Sequence, residues 1–184
     1  MRELAERVFQ RVESAFEQLR DPRRRQEVLL ARRRASREAA ERDEGRRAVD
    51  AELCFQKGQM ALRQRAYDLA LRCFREASDL HPAEGEYHAH VGWALHCCHP
   101  DDPKQAEEAL RHIKQGMKLA PDREKPYLFM GRVCQATGRP DVAVKMFTRA
   151  VQIQPECVEA LRELRLIHMR REKEKGLIAR LLRR

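Results

Sequence analysis

From Leu4 the apolar side chains recur at Val8, Val12, Phe16 and Leu19, at spacings of four, four, four and three. That is one stripe along a helix over residues 2–19. Asp21-Pro22 then caps and opens a second, short helix, since proline is tolerated in a first turn. Residues 30–50, LARRRASREAAERDEGRRAVD, lose the stripe and hold almost no large apolar side chain. Ala, Arg and Glu favour helix, and charges of both signs pair along its surface. This stretch predicts a solvated helical linker broken at Gly45. Beyond it, small and apolar residues fall on helical spacing between proline and glycine punctuation. They predict six helices, at about 51–64, 67–80, 85–97, 103–119, 124–137 and 140–153, and a seventh at about 157–170.

The stretch Glu124–Pro155, EKPYLFMGRVCQATGRPDVAVKMFTRAVQIQP, reads as one helical hairpin. Gly131 lies in its first helix and Gly138-Arg139-Pro140 make the turn. Ala143, Phe147 and Ala150 share a face of the second helix, and Pro155 ends it. Such a hairpin cannot bury its apolar face alone, and the chain supplies copies. Gly58, Gly92 and Gly131 are spaced by 34 and 39 residues. Ala70, Ala109 and Ala143 are spaced by 39 and 34, as are Pro82, Pro121 and Pro155. On these residues, 51–157 resembles the tetratricopeptide repeat (TPR) family, in units 51–84, 85–123 and 124–157. The middle unit is five residues longer around His99–Pro103, and it has Gly116 for a small alanine and Ile113 for the aromatic. The implied fold is all-α: three hairpin repeats in a right-handed solenoid, with an N-terminal helical extension and a C-terminal capping helix within 158–184. In the cap, Val158, Leu161, Leu164 and Ile167 are expected to face the stack, and Arg162, Glu163 and Arg165 to face water. The tail passes Gly176 into a short apolar–basic helix with Leu177, Ile178, Leu181 and Leu182, which either packs or frays, or rests on a membrane or partner.

Composition agrees with a helical protein: 36% of residues are charged and 5% aromatic. No run of 18 apolar residues exists, and the acidic start gives no secretion signal. The six cysteines lie mostly inside predicted helices, which reads as reduced thiols in a cytoplasmic protein. The net charge of +9 sits at the ends: +3 over residues 1–50 and +6 over 162–184, with a neutral middle. A nucleic-acid binder would carry that charge on its scaffold. The arginine runs 23–25 and 32–34 are interleaved with acidic residues and read as a solvated face.

A second resemblance covers about 25 residues. ERVFQRVESAFEQLRDPRRRQEV is similar to the last two helices of a J domain: the periodic helix, Ala15-Phe16, Leu19-Arg20-Asp21-Pro22, then Arg25. Phe16 and Val28 stand where the family usually has tyrosine. The basic helix and His-Pro-Asp loop that precede these helices in the family are missing, so residues 1–29 read as a J-like remnant of a fragment, or of a protein that kept only the rear half. The other reading is an amphipathic helix followed by a basic turn.

The TPR resemblance implies that the first helix of each unit lines a groove. Its positions fall on Glu52, Phe55, Gln59 and Leu62, then Glu86, Ala89, Trp93 and His96, then Lys125, Leu128, Arg132 and Gln135, with Glu159 and Arg162 from the cap. Trp93, the single tryptophan, is the candidate anchor with Arg132 and Lys125 as charge partners, unless it packs inside its hairpin. TPR domains that hold acidic chaperone tails use a clamp of Lys and Asn. Those positions here are Phe55, Gln59, His90, Lys125 and Phe129, and only Lys125 matches. One lysine is not enough for two carboxylates.

His99-Pro100-Asp101 spells the J-domain tripeptide, but the preceding helix EYHAHVGWALHCC has no Lys or Arg, and the repeat phase accounts for its neighbours. His88, His90, His96, Cys97, Cys98 and His99 are metal-competent, yet no C-x2-C pair exists and helix neighbours point apart. No phosphate loop, nucleophile elbow or supported carboxylate pair is present, and nothing visible lowers the thiol pKa of Cys97 or Cys98.

The expectation is a non-enzymatic interaction module that needs no cofactor and takes a peptide or partner protein in its groove. It would belong to a bacterial J-domain/TPR co-chaperone-like or scaffold protein. Two alternatives stand beside it: a nucleic-acid or acidic-surface binder acting through the basic ends, and a chaperone-ATPase cofactor acting through His99-Pro100-Asp101.

Overall fold

A computed structural model describes residues 2–181, with side chains described for all of these except 2, 3, 18, 19, 174 and 176–181. Among the described residues there are eight α-helices and no strand: α1 (Arg2–Arg20), α2 (Pro22–Arg63), α3 (Tyr67–Leu80), α4 (Gly85–Cys98), α5 (Pro103–Leu119), α6 (Glu124–Ala136), α7 (Pro140–Ile153) and α8 (Val158–Leu181). None is long and apolar enough to cross a membrane. The chain divides into two compact units, Met1–Arg46 and Arg47–Arg184.

In the first unit, Asp21 caps α2 by accepting the Arg23 N–H at 2.9 Å, with Pro22 opening the helix. The stripe residues Leu4, Val8, Val12 and Phe16 on α1, and Phe9 beside them, are each more than half exposed. The expected short helix and the break at Gly45 are both corrected: α2 is one helix of 42 residues. Gly45 lies on open surface, with nothing within 4 Å of where a Cβ would stand. One exposed glycine costs a helix about 1 kcal/mol. Flanking good helix formers and pairs such as Arg46–Asp43 at 2.8 Å offset that.

The second unit is a helical repeat stack. α4 packs on its hairpin partner α5 and also on α3 and α6; α6 packs on α7, and α7 on α8. The small residues read from the spacing lie where helices cross. A methyl added at Gly58 would come within 2.6 Å of the Phe74 ring, and one at Gly131 within 2.5 Å of Phe147. Both rings are fully buried, each contributing about 2–3 kcal/mol of transfer free energy.

The middle unit reaches the same end differently. Ile113 replaces the ring, so the helices close further, and a methyl at Gly92 would strike the Ala109 carbonyl oxygen. Gly116 allows this approach: a Cβ there would stand 2.6 Å from the Gly85 carbonyl oxygen on α4. The departures at Ile113 and Gly116 are thus one compensated change.

The turns show the same economy of means. α6 ends with Gly138 at φ 72°. There Arg139 N–H donates to the Cys134 carbonyl and Gly138 N–H to that of Gln135, which is a Schellman end. α2 ends identically, but with Arg65 at φ 61° in glycine's place. The longer connection of the middle unit is a capped loop. His99 N–H closes α4 on the Leu95 carbonyl, and Asp102 accepts from Lys104 N–H at 2.8 Å to open α5.

The closing helix corrects two expectations. Its buried face is Cys157, Ala160 and Ile167 with half-buried Leu164, whereas Val158 is 74% exposed and Leu161 is exposed as well. The stripe starts one residue earlier than expected, on Cys157 just ahead of the helix. α8 also runs through Gly176 without a break. The side chains of Leu177, Ile178, Leu181 and Leu182, and of Leu19 in α1, lie outside the described residues.

Candidate partner-binding groove

The C-terminal part of α2, then α4, α6 and the start of α8 are stitched into one face by side chains that reach from each helix to the next. Tyr87 O–H donates to Glu52 at 3.1 Å, and Phe55 meets the Tyr87 and His90 rings, both with centroids at 4.7 Å. His90 then meets Phe129 edge-on at 4.9 Å, and Phe129 stacks on Trp93 at 5.3 Å with ring planes 5° apart. The Arg132 guanidinium lies over the Trp93 ring at 5.4 Å. An aromatic row thus runs from Phe55 on α2 to Trp93 on α4, with Arg132 at its end. Such pairs add about 0.5–1.5 kcal/mol each beyond the area they bury.

Beyond Arg132 the face becomes ionic. Glu159 on α8 takes Lys125 Nζ at 2.7 Å and Arg132 at 3.4 Å, while Glu163 takes Arg132 Nε at 3.6 Å. Burial pushes the Glu159 carboxyl up, but the hydrogen bond and charge of Lys125, and then of Arg132, outweigh it and hold the group below the usual carboxylate range.

His90 is the buried centre of the row. Its Nδ1–H donates to the Glu86 carbonyl at 2.8 Å. Burial lowers its pKa to about 4, the Glu86 bond opposing and the charge of Lys125 assisting, so the ring is neutral. Burial also pushes the Cys97 thiol up to about 12, which leaves it protonated and unreactive. All six cysteines are free.

The residues assigned to the groove from the repeat register are on these helices, but at different depths. Ala89 and Leu128 are fully buried in the core, and Phe55 and His96 are each 6% exposed. As surface contacts these four are corrected, being buried for different reasons. Tyr87 and His90 of the next unit cover Phe55, and Ala89 lies against Gly116 of its own hairpin. Leu128 belongs to the core cluster around Phe147, and His96 lies beside the Trp93 ring on its own helix. Gln59, Leu62, Trp93, Lys125, Arg132 and Gln135 are half-buried, and Arg162 is exposed. Trp93 packs against the core cluster and keeps part of its surface open. Register placed His90 and Phe129 only at clamp positions that lack polar donors, and Glu163, expected to face water, is instead half-buried against Arg132. The signal for the first two was present: rings occupy positions where a carboxylate clamp needs polar donors. Among the described residues, the buried atoms His96 Nδ1 and Gln135 Oε1 have no hydrogen-bond partner.

No group of three or more His, Cys, Asp or Glu with metal-holding geometry occurs among the described residues. His99, Pro100 and Asp101 belong to the α4–α5 connection. Pro100 and Asp101 line a shallow cleft of about 380 Å³ with Leu110, Thr137 and Arg139.

Residues 125–157 match the tetratricopeptide repeat family. No curated protein matches the chain. Among solved structures, the chain is similar to the first TPR domain of Spaghetti (RPAP3) bound to the HSP90 peptide SRMEEVD, at 23% identity and TM-score 0.58 over 66% of this chain and 95% of that one. It is similar to YrrB, a TPR protein with an unusual peptide-binding site, at 20% identity and TM-score 0.52 over 62% and 56%. It is also similar to the O-GlcNAc transferase of Thermobaculum terrenum, at 16% identity and TM-score 0.60 over 66% of this chain and 22% of the enzyme. The second unit therefore has the fold of tetratricopeptide repeat domains.

Proposed function

We propose that the face shared by α2, α4, α6 and α8 is a groove that binds a peptide segment of a partner protein, without catalysis. The observation that carries this reading is the aromatic row from Phe55 through His90 and Phe129 to Trp93. It crosses three helices and leaves a half-buried indole beside Arg132. A buried apolar floor with a few polar groups at its edge is the usual make-up of a recognition site. Peptide binding by two of the similar domains agrees with it.

Gln59, Leu62, Trp93, Gln135 and Arg162 are the contact residues in this reading. Arg132 holds the Trp93 ring in place from above, Lys125 closes the ionic end with Glu159, and Ala89, Leu128, Phe55 and His96 support the contact residues from below. Residues 1–29 form a J-like remnant ahead of the groove module in the same reading; the Asp21 cap and Pro22 start are the features that support it.

Peptide-array binding of the wild type, Trp93→Ala and Arg132→Gln tests the groove, with melting curves to show that each variant is folded. Loss of the same peptides in both folded variants is the expected result. Unchanged binding in both rejects the groove.

A further inference from the structure

We infer that Glu159 and Glu163 act as a built-in anionic ligand that closes the groove to acidic peptides and reserves it for segments without net negative charge. This rests on the groove reading above.

The groove's inner face presents two cations, Lys125 and Arg132, and neither is free. Lys125 Nζ sits 2.7 Å from Glu159, and Arg132 bridges Glu159 at 3.4 Å and Glu163 at 3.6 Å. Glu159 comes 34 residues after Lys125 and 27 after Arg132, so the contacts are made by the closing helix on the last full hairpin and are not local helix pairs. Two positive charges meet two negative ones, and the site is neutral where an acidic terminus would need an excess of donors.

Arg132 is also shielded on its other side. It lies over Trp93, and its side chain is only 24% exposed. An incoming carboxylate would have to displace a carboxylate already in contact and then leave Glu159 and Glu163 beside it. Like-charge juxtaposition of this kind is how interfaces reject wrong partners. Apart from the exposed Arg162 at the edge, what remains open to a ligand is uncharged: the free part of the Trp93 ring, Gln59, Leu62 and Gln135.

Glu159 and Glu163 are therefore specificity residues, and removing their charge changes which peptide binds. The test is fluorescence anisotropy with a labelled acidic heptapeptide carrying a free C-terminal carboxylate. The same peptide with glutamines and an amidated end serves as the neutral probe. Each is titrated with the wild type and with the Glu159→Gln/Glu163→Gln variant, whose fold is checked by its melting curve. The expected result is that the double variant binds the acidic probe about tenfold tighter than the wild type does, with a gain that shrinks at high salt. Affinity for the neutral probe, or for any groove-dependent array peptide without net negative charge, stays within about twofold.

Wild type binding the acidic probe as tightly as the variant overturns the inference while the groove reading stands. A variant that gains nothing for the acidic probe, while either protein still binds array peptides in a Trp93-dependent way, does the same. If neither protein binds any probe or array peptide, the groove reading fails and this inference with it.

Discussion

At the scale of single residues, Arg65 holds a backbone conformation that glycine holds at the equivalent turn. Its φ is 61°, against 72° at Gly138. A left-handed non-glycine residue costs about 1–2 kcal/mol. Arg65→Gly is therefore expected to raise stability by up to about 1 kcal/mol, once the greater entropy of the unfolded glycine is counted. Gly138→Ala is expected to lower it by about the same amount. Urea denaturation of both variants checks the pair, and equal midpoints would show that the turn is unstrained. His90 gives a second expectation. Burial, with help from Lys125 and against the Glu86 bond, holds its pKa near about 4 instead of 6.5. The unfolded chain then takes up a proton first, so the folded state loses ground as pH falls from about 6.5 and stops losing it below about 4. The loss amounts to about 3 kcal/mol. His90→Phe should remove that part of the pH dependence, as read from denaturation midpoints across the window.

Elements show which sequence signals translate into structure. The boundaries of α3 to α7 were legible because each carries its own punctuation: Pro82, Pro121 and Pro155 after helices, Pro103 and Pro140 at their starts, Gly138 in a turn. Gly45 misled because a single glycine is a weak signal against the Ala, Arg and Glu that dominate the helix on both sides of it. It is worth about 1 kcal/mol and has no neighbour to make it more. The buried face of α8 was misplaced because Val158 and Leu161 are larger than the Cys157 and Ala160 that in fact pack. Crossing points close to another helix favour the smaller side chain. The middle hairpin carries the sharpest expectation. Gly92→Ala would press a methyl on the Ala109 carbonyl and the Ile113 side chain at 2.7 Å, and backbone does not yield as a side-chain tip does. A loss of about 1–3 kcal/mol follows. Phe147→Ala, which empties a fully buried ring site, should cost about 3–5 kcal/mol. Thermal melts rank the two, and a Gly92→Ala protein as stable as wild type would contradict the close approach.

For the stack as a whole, the helices that carry the candidate face were legible and the depth of its residues was not. Repeat register assigns a residue to a helix face, but whether that face is floor or surface depends on what the adjacent unit brings. Phe55 sank because Tyr87 and His90 cover it; Leu128 sank into the core that holds Phe147 and Ala160. The ionic end was invisible for a related reason: Lys125 and Glu159 are 34 residues apart, and only packing of the closing helix joins them. This pair also ties the cap to pH. With the folded pKa of Glu159 depressed, its contribution is complete above the ordinary glutamate range. It drains away as pH falls through the lowered value, when the pair is protonated apart. Glu159 is close to half exposed, so the contribution is no more than about 1 kcal/mol. Glu159→Gln should differ from wild type by that much at neutral pH and by nothing in acid, a convergence that paired denaturation curves would show.

Trp93 is the only indole in the chain, and it stands stacked on Phe129 beneath Arg132. The protein therefore contains a native fluorophore at one known point of the proposed groove. Its emission colour reads the polarity there, and its quenching by small solutes reads how open the groove is. Neither reading needs a label, and with excitation to the red of tyrosine absorption neither is diluted by signal from elsewhere in the molecule.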